Sequence, residues 1–279
     1  MAKESYIARA SAEVALAVAN TTSPFNIEVR FLGGLTTVQQ NAFKAAADRW
    51  ARVIVGDLPA MMVDGELIDD VLILAEGSDI DGPGGILGQA GPTDLRPANA
   101  GAAAFIPAKG VMQFDKADLA KMEQNGTLND VITHEMGHVL GIGTIWRQKG
   151  LLKKPGTTNP TFTGAGAKVE FGKLKGTGPA EVPVANVGGP GTRDSHWRET
   201  VFGNELMTGV IAGAGNPMSR MTVASLKDLG YVVNLEAAEP YALPNHLLMA
   251  ENAVLAAGPI NEGIMLPIIP RVGPEDSLQ

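Results

Sequence analysis

The sequence predicts an α+β fold whose N-terminal half is built around a mixed sheet. Three observations carry that reading. Residues 25–77 run strand, amphipathic helix, strand. A further helix with paired histidines follows near 127–141. Residues 147–195 are rich in Gly, Pro, Thr and Lys and lack helical periodicity, so the second half is less regular. The chain's 279 residues suffice for one large domain or two intimate subdomains.

Taken in order, AEVALAVA at 12–19 reads as a strand or short helix rather than a signal peptide, because it is short and interrupted by Glu13. FNIEVRFL, 25–32, alternates apolar and polar residues as a strand does. Gly33 and Gly34 turn the chain into a helix over 35–56, capped by Thr36 or Thr37. Val38, Phe43, Ala46, Trp50 and Val53 are its expected apolar face. DVLILAEG, 70–77, is a buried strand, and ILGQA, 86–90, is a short edge strand within a glycine-rich segment. Residues 102–115 supply one or two strands, and 117–126 a short helix or turn.

TLNDVITHEMGHVLGIG starts a helix at a Thr or Asn cap and ends near Gly141. Packed loops, short strands and a helix near 164–172 are expected in 147–195, since so long a connection is not left unstructured in a compact domain. Residues 219–230 form a helix capped by Ser219, followed by a short strand. The last forty residues hold six prolines and read as an extended tail folded over the body.

Bulk composition narrows the function. The net charge is −8 with no basic cluster, which argues against nucleic-acid or anionic-membrane partners. With no cysteine, thiolate metal sites, disulfides and a cysteine nucleophile are excluded. No apolar run reaches transmembrane length.

The chemistry concentrates in HEMGH, 134–138. On a helix, residues four apart share a face, so His134 and His138 can direct two imidazoles at one ion. Glu135, on the adjoining face, can then take a proton from water. Zinc favours such nitrogen ligands in a tetrahedral set with one open position. The residues alone leave the third ligand open among His196, His246 and a carboxylate such as Glu170, Glu199 or Glu205. Asp194 and Glu199 flank His196 and are candidate hydrogen-bond partners of its ring. Asp79 and Asp81 are candidates for a structural calcium ion, although a plain turn accounts for them as well.

H-E-x-x-H-x-x-G resembles the metzincin signature, in which a third histidine sits three residues after the glycine; here Thr144 stands there. SHWRE and NELMTG further on, with DGPGGILGQAGP and NPMSRMTVASLKDLGYVV, are similar to the leishmanolysin family of metzincin peptidases over residues 25–245 or so. That resemblance implies a displaced third ligand at His196 and a Met-turn methionine at Met207. It implies a zincin fold divided into residues 1–142 and 143–279, with a twisted mixed sheet, a backing helix and an active-site helix in the first part. An edge strand near 84–91 would receive an extended peptide by strand addition.

The expected activity is zinc-dependent endopeptidase, with Glu135 as general base and then general acid, one catalytic zinc ion, and protein or peptide substrates. A secreted or cell-surface location goes with the family. The rival is a catalytically silent zincin that binds a partner protein or surface. Relatives rich in cysteine differ from this chain, and no tyrosine follows Met207 closely enough to assist an oxyanion.

Overall fold

The computed structural model describes residues 4–82, 84, 87–189, 191–211, 213–245 and 268–279. Strand β1 (Ser5–Arg9) leads into the short helix α1 (Ala12–Val14), which continues as a wider π turn over Ala15–Ala19. AEVALAVA is therefore helical. β2 (Asn26–Gly33) follows, then α2 (Thr37–Val53), whose first turn is closed by a reciprocal pair of bonds between Thr36 and Gln39. A hairpin of β3 (Met61–Val63) and β4 (Glu66–Ile68) precedes β5 (Val71–Ser78), β6 (Gly88–Leu95) and β7 (Pro107–Asp115). Two helices complete this half: α3 (Lys116–Asn125), capped by the Asp115 side chain, and α4 (Leu128–Val139). Thr127 occupies the cap position of α4, but its side chain makes no capping bond.

The second half has the short strands β8 (Leu152–Lys153), β9 (Thr161–Phe162) and β10 (Val182–Pro183), with α5 (Ala165–Leu174) between β9 and β10. α6 (Glu199–Phe202) and α7 (Arg220–Leu229) follow. The strand expected after α7 reduces to one bridge, Val233 to Ile54. Of the tail, β11 (Arg271–Val272) pairs with β6, and the Gln279 amide donates to the Ala60 carbonyl.

The main sheet runs β1-β2-β5-β7-β6-β11. β2, β5 and β7 are parallel, β1 runs antiparallel to β2 and β6 antiparallel to β7, while β11 is parallel to β6, so the sheet is mixed. The edge strand expected over 86–90 is instead β6, which begins at Gly88 and lies one strand in from the edge. Its outer edge is taken at Asp94 and Leu95 by β11.

α2 and α4 pack on the sheet and on each other through one apolar core. Phe43 of α2 meets Phe31 and Phe114 edge to face, at 6.1 and 5.9 Å between centroids. The β3–β4 hairpin covers a smaller cluster, with Met61, Val63 and Ile68 against Leu72 and Ala108. Val38 departs from the expected apolar face and is 58% exposed. Five positions before Phe43, it points about 140° away round the helix. Among the described residues no helix is long and apolar enough to cross a membrane.

Candidate metal centre

The Trp50 indole of α2 donates to the Thr133 carbonyl of α4 at 2.9 Å, which fixes α4 against the core. His134 and His138 project from that helix one turn apart. Gly141, at φ +107°, ends the helix and turns the chain. The Thr144 hydroxyl donates to the His138 carbonyl at 2.8 Å. Thr144 therefore caps the helix, although at this place the compact pattern has a ligand.

His196 arrives from a loop held from three sides. Its carbonyl accepts from the Ala185 amide at 2.8 Å, and the next residue's amide, on Trp197, donates to the Met207 carbonyl at 2.9 Å. The fully buried Trp197 ring stacks on Trp146 at 4.7 Å. The chain just beyond α4 passes so close beneath that a Cβ on Gly143 would fall 2.1 Å from the Ser195 carbonyl oxygen. Glycine is what allows the approach.

The three imidazoles converge. Nε2 of His134 lies 3.0 Å from that of His138 and 3.0 Å from that of His196; the remaining edge is 2.9 Å. Each ring's other nitrogen faces a backbone carbonyl: Leu206 for His134 at 2.7 Å, Ile142 for His138 at 2.8 Å, and Thr192 for His196 at 3.0 Å. A carbonyl only accepts, so each Nδ1 carries the proton and each Nε2 presents a bare lone pair. Burial pushes all three rings toward the neutral form, His134 to about 4 and His196 to about 3, with His138 well below its ordinary value. Mutual repulsion deepens the effect for His138 and His196.

Three lone pairs facing one another, with no donor among them, repel unless a cation lies between them. A tetrahedral ion with bonds of about 2.0–2.1 Å separates its ligands by about 3.3 Å, close to the triangle found. The donor set therefore fits zinc. Glu135 is buried beside this group, and its Oε2 has no hydrogen-bond partner. Burial raises its carboxyl well above the ordinary range.

Met207 is buried against the underside of α4. A Cβ on Gly137, between the two helix histidines, would lie 2.8 Å from the Met207 sulfur and 2.8 Å from the Trp50 ring. The carboxylates considered as third ligands are engaged elsewhere. Glu170 pairs with Lys173 and Arg220. Glu199 accepts from Thr208 and the Val210 amide. Glu205 takes the Met207 and Ser219 amides.

Neither Asp194 nor Glu199 holds the His196 ring, because Thr192 and Ser195 take that position. Asp79 pairs with Lys116, and the turn around it is fastened by Asp115, which accepts from the Ile80, Asp81 and Gly82 amides. His246 lies outside the described residues. The sequence does not point to the three carbonyl acceptors or to Gly137: backbone groups carry no residue-type signal, and Gly137 stands at an unspecified position of H-E-x-x-H.

Residues 103–248 match the model of the family described as leishmanolysin, peptidase M8, which is more than half of the chain. The chain belongs to the leishmanolysin family. The matched span contains all three converging histidines and Met207. No individual curated protein matches the chain. Leishmanolysin-family proteins are metallopeptidases, and in this member His134, His138 and His196 are a group able to hold the metal.

Proposed function

We propose that this leishmanolysin-family chain is a zinc-dependent endopeptidase acting on protein substrates. The observation that carries the reading is the triangle of three deprotonated Nε2 atoms beside a buried carboxylate oxygen without a partner. His134, His138 and His196 hold the ion. Zinc held there supplies Lewis acidity, which lets water give up a proton near neutral pH and polarises a carbonyl.

Glu135 does the proton work. Its carboxylate accepts a proton from the water that attacks the scissile carbonyl carbon. It then delivers that proton to the amide nitrogen as the C–N bond breaks, leaving a new carboxylic acid and a free amine, which exchange a proton to become carboxylate and ammonium. Met207 is the Met-turn residue, packing beneath the ligands without coordinating. The cleft lies between residues 1–142 and 143–279. An extended peptide adds to β6, whose outer pairing with β11 covers only Asp94 and Leu95 among the described residues. A silent binding protein has no use for Glu135, whose buried carboxylate costs stability without a partner.

The test is elemental analysis of purified protein and of His196→Ala, beside casein cleavage with and without a chelator. One zinc per chain, its loss in the variant and chelator-sensitive cleavage are expected. Zinc retained in His196→Ala would overturn the ligand assignment, and zinc without cleavage of any protein would overturn the enzymatic one.

A further inference from the structure

Glu205 is fully buried, and no step above uses it. Its Oε2 accepts from the Met207 amide at 2.7 Å. Its Oε1 accepts from the Ser219 amide at 3.0 Å, from the Ser219 hydroxyl at 2.7 Å and from the Thr222 hydroxyl. Both hydroxyls have their lone pairs engaged by N–H groups. Thr222 Oγ1 accepts from the Trp197 indole at 2.8 Å, and Ser219 Oγ from the Thr222 amide at 3.2 Å. Both hydroxyls donate to Glu205 Oε1, the Ser219 hydroxyl having only a longer alternative on Thr222 Oγ1 at 3.4 Å. Among the described residues four donors and no acceptor surround the group, which is the environment of a carboxylate. Burial pushes its carboxyl upward, and these donors oppose that push.

The Met207 N–H and the Leu206 C=O belong to one peptide unit. The carbonyl end of that unit accepts the Nδ1 proton of His134 at 2.7 Å. The order in space is carboxylate, peptide, imidazole, then the bare Nε2 at one corner of the triangle. A negative charge on the N–H end polarises a peptide and strengthens its carbonyl as an acceptor. A stronger acceptor on Nδ1 makes the opposite nitrogen a better ligand, as when a carboxylate touches the ring directly. Glu205 also reaches the other ligand loop through Thr222 and Trp197, the neighbour of His196.

We propose that Glu205 is a positioning residue of the metal centre, acting on His134 through the Leu206–Met207 peptide unit and on the His196 loop through Thr222. The inference rests on the zinc reading above. A carboxylate that merely stabilises the fold would leave the ligand field of the ion unchanged.

The experiment measures zinc affinity by chelator competition, and the visible spectrum of cobalt-substituted protein, for the parent, Glu205→Gln and Asp228→Asn. Asp228 sits on α7 and caps α5 through the Gly166 and Ala167 amides, so its loss weakens the same helix packing away from the ligands. Glu205→Gln should bind zinc roughly 10- to 100-fold more weakly, with a shifted cobalt band, and Asp228→Asn should match the parent. Parent-like affinity and spectrum in Glu205→Gln would overturn the proposal, as would an equal loss in Asp228→Asn. A parent that binds no zinc would take down both readings; a parent that binds zinc beside an unaffected Glu205→Gln takes down only this one.

If Glu205→Gln does not fold, NMR on the native protein asks the same question. The Met207 amide proton and the His134 Nδ1 proton should shift together as zinc is withdrawn. A Met207 amide that stays still while His134 responds would refute the relay.

Discussion

The sulfur of Met207 fills the space a Cβ on Gly137 would need, 2.8 Å from that position, in the one turn of helix that separates His134 from His138. The contact leaves no room for a methyl group, because the rigid Trp50 ring closes the same space from α2. Gly137→Ala should destabilise the protein by about 1–3 kcal/mol through overpacking, despite alanine's better helix propensity. Urea unfolding of the two proteins checks this. A stabilised variant would mean that Met207 and Trp50 can move apart.

Glu135→Gln preserves the shape of the side chain and removes its ability to take a proton. Turnover of casein should fall by roughly 10²–10⁴. Zinc content should stay at the parent value, since the three imidazoles are untouched. Measuring both on one preparation separates a lost base from a lost metal.

Thr144→Val removes the hydroxyl that caps the His138 carbonyl. The loss should be about 1 kcal/mol of stability, the ordinary worth of such a bond, with zinc stoichiometry unchanged. A variant that loses zinc would mean that Thr144 acts on the metal rather than on the helix end.

Glu199 gives a pH test away from the ligands. Burial pushes its carboxyl up to about 7, and its Oε2 has no partner. Its value is raised on folding, so between about 4.3 and 7 the folded state holds more protons than the unfolded one. Its contribution is therefore full below about 4.3 and is lost as pH rises through 7. Glu199→Gln imitates the protonated form. It should come close to the parent in stability at pH 4 and exceed it at pH 8 by on the order of 1–2 kcal/mol, after allowance for partial exposure. A constant difference across that range would show that Glu199 titrates normally.

Much of the fold was legible because its signals are local. The alternation at 25–32, the threonine cap at 36–37 and the helix at 127–141 each need only neighbouring residues. The ligands His134 and His138 were legible for the same reason. His196 was not determined by spacing: several side chains competed for the role, and only the resemblance favoured it. What the sequence hid is carried by backbone. The carbonyls of Leu206, Ile142 and Thr192 orient the rings, yet any residue type would offer the same oxygen. Val38 misled for a simpler reason, since an apolar residue in the first turn of a helix need not lie on its buried stripe.

All three tryptophans of the chain touch the segments that carry the histidines. Trp50 holds α4 by the Thr133 carbonyl, Trp197 follows His196, and Trp146 stacks on Trp197 at 28° between ring planes. Two indoles at that separation couple optically. The native protein thus carries its own unlabelled gauge of the site, and near-ultraviolet dichroism or intrinsic emission reads the seating of the His196 loop without a probe or a substrate.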